Sequence, residues 1–179
     1  HPADKRWTLD DIRDAVARGA RMFELNPGDE EGIPYAVRLW DEALAAGMLL
    51  YASLATDIHH IDQMARWGYV LVRAEKLEQW PILEAMRAGD FVAVDKDCAA
   101  RVTEVTRGSG KPGSEYRVIA SDAATVRFVG RGGVELASVA PQDGVASYAV
   151  RGDEIYVRAE ILDTAGRRIY TQPVMVTGR

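Results

Sequence analysis

Cysteine and histidine are scarce in this sequence: its 179 residues hold one cysteine, Cys98, and three histidines, His1, His59 and His60. A single thiol makes no internal disulfide, so the chain is not a disulfide scaffold, and its compartment stays open. No apolar run approaches the ~20 residues needed to span a bilayer. The longest, GMLLYASLA, reads as a buried strand. Lys and Arg never cluster, and 22 of them against 27 Asp and Glu give a net charge of −5 and a pI near 5.3. That balance argues against nucleic acid as the main partner. The chain also begins at His1-Pro2 without an initiator methionine or signal peptide, and we read it as a processed product or, by preference, a segment of something longer.

What is present is 47% hydrophobic and 27% charged, the composition of a globular protein. Its two halves differ. Up to residue 90 there are 10 Lys and Arg against 16 Asp and Glu, with all four tryptophans and all three histidines; afterwards the balance is 12 against 11, with 14 of the 18 valines.

The first half has helical period. In TLDDIRDAVARG (8–19), Leu9, Ile12 and Val16 share a face, Thr8 and Asp11 have capping-box spacing, and Gly19 marks the stop. RMFEL (21–25) is a short strand candidate, NPGDEEGIP (26–34) a loop, and Pro34 opens a helix in which Val37, Trp40 and Leu44 repeat before Gly47. MLLYASLA (48–55) is apolar enough for a strand covered on both faces, and it delivers TDIHH. A turn or helix in HIDQMARWG, a strand at 69–74 and a helix through 80–89 repeat the cycle, which predicts a parallel α/β layer with ligands at the carboxyl ends of its strands.

After residue 90 the period becomes two. RVTEV, EYRVIAS, TVRFVG, VELASV, ASYAV, EIYVRAEILD and RRIYTQPVMV are short β-type runs between turn formers. Alternating Ile155, Val157, Ala159 and Ile161 predict a half-buried antiparallel strand, and the whole predicts a β-sandwich. The expected fold is therefore α/β over 1–90 followed by all-β over 91–179, with the boundary near FVAVDKD (91–97).

Two strand ends carry candidate chemistry. Asp57-Ile58-His59-His60 follows a buried strand, and a D-x-H triplet leaving a strand end can project a carboxylate and an imidazole towards one point, a pair suited to zinc, manganese or iron. A polar turn with an N-cap Asp and surface histidines accounts for the same residues. Glu24 ends an apolar strand; a carboxylate buried there needs a partner or a metal, and one facing solvent needs neither. The four tryptophans read as helix–sheet packing rather than a stacking platform. GSGKPG (108–113) lacks phosphate-loop spacing and reads as a hairpin loop, GRGG (130–133) reads as a turn, and Cys98 as inert.

Taken in order, the opening His-Pro, FELN about twenty residues on and TDIHH after thirty more resemble the PHP (polymerase and histidinol phosphatase) superfamily of metal-dependent hydrolases. LEQWPILEAMRAGDFVAV and EIYVRAEILDTAGRRIYTQPVMV resemble that family's passage into, and last hairpin of, an accessory β domain. The resemblance implies the back part of a distorted β/α barrel over 1–90, joined to an immunoglobulin-like β-sandwich over 91–179. It implies metal ligation by His1, Glu24, Asp57 and His59, with His60 structural or supporting. Divalent ions so held would polarise a phosphoryl or carbonyl oxygen and lower the pKa of a water, acting on a small phosphorylated or ester substrate. The family's His-x-His pair is absent, so weak metal binding and background hydrolysis are expected of this chain alone, and Ile58 stands where many members have a small residue. The alternative is a non-catalytic α/β-plus-sandwich module that binds a partner, a glycan or the rest of its own chain. A degenerate relative of the same family, retained for structure, is the weaker third reading. No nucleic acid or membrane partner is expected, and oligomeric state is open.

Overall fold

A computed structural model describes residues 6–25, 32–55, 60 and 68–177. Helix α1 (Leu9–Ala17) opens with the expected capping box: the Thr8 hydroxyl accepts from the Asp11 N–H at 3.3 Å, and the Asp11 carboxylate accepts from the Thr8 N–H at 2.7 Å. Strand β1 (Met22–Glu24) and helix α2 (Gly32–Ala45) follow. Pro34 lies in the first turn of α2, where its missing N–H is harmless. Strand β2 (Tyr51–Ser53) then runs parallel to β1, with Phe23 opposite Ala52 and Glu24 opposite Ser53. Among the described residues, β1 and β2 are the whole of the parallel layer.

Among the described residues, every later strand pair is antiparallel. In chain order come β3 (Gly68–Val72), α3 (Gln79–Ala88), β4 (Phe91–Asp95), β5 (Arg101–Thr106), β6 (Glu115–Ser121), β7 (Thr125–Gly130), β8 (Val134–Val139), β9 (Val145–Ala149), β10 (Tyr156–Leu162), β11 (Arg168–Thr171) and β12 (Val174–Met175). One sheet has the order β3-β4-β11-β10-β7-β8, with β12 also on β10; the other is β5-β6-β9. The loop at 108–113 joins β5 to β6, and 131–133 is a 3-10 turn between β7 and β8, as their glycines predict. The run RRIYTQPVMV, expected as one strand, is two, interrupted at Gln172-Pro173.

Two expectations change here. The strand at 69–74 does not join a parallel layer: β3 pairs antiparallel with β4, Tyr69 opposite Val94 and Val70 opposite Ala93. Gly68 permits this close start, since a Cβ there would lie 2.3 Å from the Val94 carbonyl oxygen. Helix α3 then ends on Gly89 at φ +75°, a left-handed turn that sends β4 back along β3. One sheet thus takes strands from both sides of residue 90.

The second change concerns β10, which is buried on both faces rather than half-buried. Val157, Ala159 and Ile161 pack with Phe128, Ile169 and the outer-sheet residues Tyr116, Val118 and Tyr148. On the opposite face, Ala93, Tyr156 and Tyr170 pack with Ile12, Phe23, Trp40, Leu44 and Leu50. The molecule therefore has three layers: α1, α2 and the β1–β2 pair, then the large antiparallel sheet, then β5-β6-β9.

Candidate functional site

The parallel strand ends are the natural place for chemistry in an α/β layer. Glu24 is the last residue of β1 and is half-buried. Its register partner Ser53 is the last residue of β2, so the chain leaves β2 at the end of the sheet where Glu24 stands. Glu24 also borders a cavity of about 220 Å³ between α1 and β1, walled by Trp7, Ile12, Val16, Met22 and Phe23. Among the described residues of that wall it is the one charged side chain.

Of the other expected ligands, His1, Asp57 and His59 lie outside the described residues, as does Trp67. His60 is described and exposed. No group of three or more His, Cys, Asp or Glu that could hold a metal ion occurs among the described residues. Of the expected set, the structure therefore places Glu24 alone. The donor chemistry of the full set, two carboxylates and two imidazoles, suits a divalent first-row cation.

Between α2 and β10 lies a buried ionic network that the sequence pattern does not reveal. Asp41, on α2, accepts from Arg158 Nε at 2.8 Å and Nη2 at 2.7 Å, and from the Tyr156 hydroxyl at 2.6 Å. Arg158 Nη1 reaches Glu160 at 2.9 Å, and its guanidinium lies 4.7 Å from the Trp40 ring centroid. Glu160 is shared further with Arg127 and Arg168. Arg158 is 1% exposed. Burial works hardest against its charge, yet the hydrogen bonds and charge of Asp41, together with Glu160, outweigh it and raise the pKa. Tyr156 is raised too, by burial first and then by Asp41, so it stays a donor. This is a latch between α2 and β10, holding the helix that lies between the two parallel strands.

A second cavity, about 190 Å³, opens among β3, β4 and β5. Arg107 on its wall donates to the Ala88 carbonyl at 2.8 Å and to Asp90 at 3.0 Å, and lies over the Tyr51 ring. These bonds fasten the end of α3. Trp40 is fully buried as packing predicts, whereas Trp80 is 65% exposed and packs little. Cys98 is buried, and burial pushes its thiol pKa up, away from the reactive thiolate.

No helix among the described residues is long and apolar enough to cross a membrane. Compared with known proteins, the chain matches no family model, no curated protein and no solved structure.

Proposed function

We propose that the carboxyl ends of β1 and β2 contribute to the divalent-cation site of a metal-dependent hydrolase, a phosphoesterase of the PHP type. The observation that carries this reading is the parallel register of Glu24 with Ser53, which puts the end of β2, four residues before Asp57 in the sequence, at Glu24's end of the sheet. In this reading Glu24 and Asp57 supply carboxylate oxygens, His59 and His1 supply imidazole nitrogens, and the acidic first half balances the cation's charge. When bound, the cation polarises the phosphoryl oxygen and lowers the pKa of the attacking water. The residues' own work is to hold that cation at the strand ends, with the apolar wall of the α1–β1 cavity beside Glu24.

Calorimetric titration with zinc and with manganese tests this. Weak, saturable binding that is lost in Asp57→Ala and His59→Ala is the expected result. Absence of binding, or binding that survives both substitutions, overturns the reading.

A second reading has one observation in its favour. Among the described strands β3 ends its sheet, and Tyr69 and Leu71 on it are almost half exposed, which suits a non-catalytic module that pairs its edge with a partner. The same titration separates the two, since such a module needs no cation.

A further inference from the structure

Among the described residues, Gln172 takes the place of a strand beside β2. The backbone of Tyr51 and Ser53 faces β1: the Tyr51 N–H donates to the Arg21 carbonyl, and the Ser53 carbonyl accepts from the Leu25 N–H. Between them, Ala52 turns its backbone the other way, and one side chain satisfies it. Gln172 Nε2 donates to the Ala52 carbonyl and Gln172 Oε1 accepts from the Ala52 N–H, each at 2.8 Å. A primary amide has one donor face and one acceptor face, so it reproduces the pair of bonds that a neighbouring strand would make.

Gln172 is itself held from the opposite side. The Tyr116 hydroxyl, from β6 in the outer sheet, donates to the Gln172 carbonyl at 2.6 Å and lies 2.7 Å from Thr171 Oγ1. Thr171 Oγ1 in turn bonds the Ala159 N–H and carbonyl on β10. Tyr116 is fully buried, and burial pushes its hydroxyl up to about 12, which keeps it protonated. The outer sheet thus grips the main chain of Gln172, and the side chain of Gln172 grips β2. One residue ties all three layers together.

We infer that Gln172 is a positioning residue: it sets the place of β2, and through β2 the strand end at Ser53 that lies opposite Glu24. What that strand end serves rests on the metal-hydrolase reading; the positioning itself does not. A glutamine that only added stability would lower the unfolding midpoint when replaced and leave the strand end alone. A positioning glutamine changes local opening of β2 and the geometry offered to a cation.

The test compares the wild-type chain with Gln172→Met, which keeps the length and removes both bonds, and with Tyr116→Phe, which releases only the main-chain grip. Hydrogen exchange reads β2 directly, and the visible absorption of added cobalt(II) reads ligand geometry. Loss of these buried bonds is expected to speed exchange at residues 51–55 by about tenfold in Gln172→Met, with a smaller change in Tyr116→Phe. Amides of the β5–β6 pair are expected to keep their protection. Cobalt affinity is expected to fall with a changed band shape.

Exchange at 51–55 equal to wild type in both variants overturns the inference, whatever cobalt does. Where the wild type binds cobalt, faster exchange with cobalt binding and spectrum unchanged shows that β2 opens without moving its end, and overturns the positioning role as well. A wild-type chain that binds no cobalt overturns the hydrolase reading instead, and Gln172 is then judged by exchange alone. If Gln172→Met does not fold, Tyr116→Phe carries the same comparison.

Discussion

Cutting Asp41 back to alanine removes three hydrogen bonds at once, those from Arg158 Nε, Arg158 Nη2 and the Tyr156 hydroxyl, all between 2.6 and 2.8 Å. Arg158 is left with Glu160, which already serves Arg127 and Arg168 as well. The abandoned donors lie away from bulk solvent, with Arg158 1% exposed and Tyr156 fully buried. Breaking a buried ion pair from one side costs about 3–5 kcal/mol. Against a typical total of about 5–15 kcal/mol, that is a large share of the stability. Urea denaturation followed by circular dichroism is the assay: the midpoint is expected to drop with the slope unchanged. Adding Arg158→Met should recover most of the loss, since an apolar side chain of similar length then occupies the site without a stranded charge. A cost below about 1 kcal/mol, the value of an exposed pair, would refute the reasoning. A double variant no more stable than Asp41→Ala would do the same.

Two smaller perturbations test other parts of the frame. Gly68→Ala places a methyl 2.3 Å from the Val94 carbonyl oxygen and 3.2 Å from Leu54. It should destabilise by about 1–3 kcal/mol in the same urea assay, with faster hydrogen exchange at the β3–β4 pair; an unchanged midpoint would show that β3 starts elsewhere. Asp95 has Oδ1 buried without a hydrogen-bond partner among the described residues, while Oδ2 accepts from the Arg168 N–H at 2.8 Å. Burial raises its pKa against the pull of that bond and of the Arg168 charge. The folded state therefore favours protonated Asp95, and its contribution to stability is full below the unfolded value of about 3.9 and lost as pH rises through the raised one. Asp95→Asn should be at least as stable as wild type at neutral pH, with the advantage closing as pH falls towards 4. An advantage that grows on acidification would contradict this.

Local signals carried furthest from sequence to structure. The Thr8–Asp11 capping box is written in four consecutive residues, and it is present as expected. Strand pairing is less local. Nothing in YVLVRA says whether its neighbour runs with it or against it; the pairing with β4 is antiparallel, and Gly68 allows its close start. In EIYVRAEI, alternation shows which residues share a face and is silent about what covers the other one. Arg158 and Glu160 look like solvent-facing residues until α2 is laid over them with Asp41 as counter-charge. Gln172 left only one mark, the Thr-Gln-Pro break in an otherwise β-type run. Its role depends on Ala52, far away in the chain. Of the candidate site, Glu24 could be placed at a strand end from the sequence, and the parallel register with β2 came from the fold.

The claim that a cation belongs at the ends of β1 and β2 is tested most directly by titrating manganese(II) into the isotopically labelled chain and mapping paramagnetic broadening of its amide resonances. The account predicts saturable broadening centred on residues 24–25 and 53–55, with β6 unaffected and the effect lost in Asp57→Ala. No broadening at these strand ends, or the same broadening in Asp57→Ala, would contradict it.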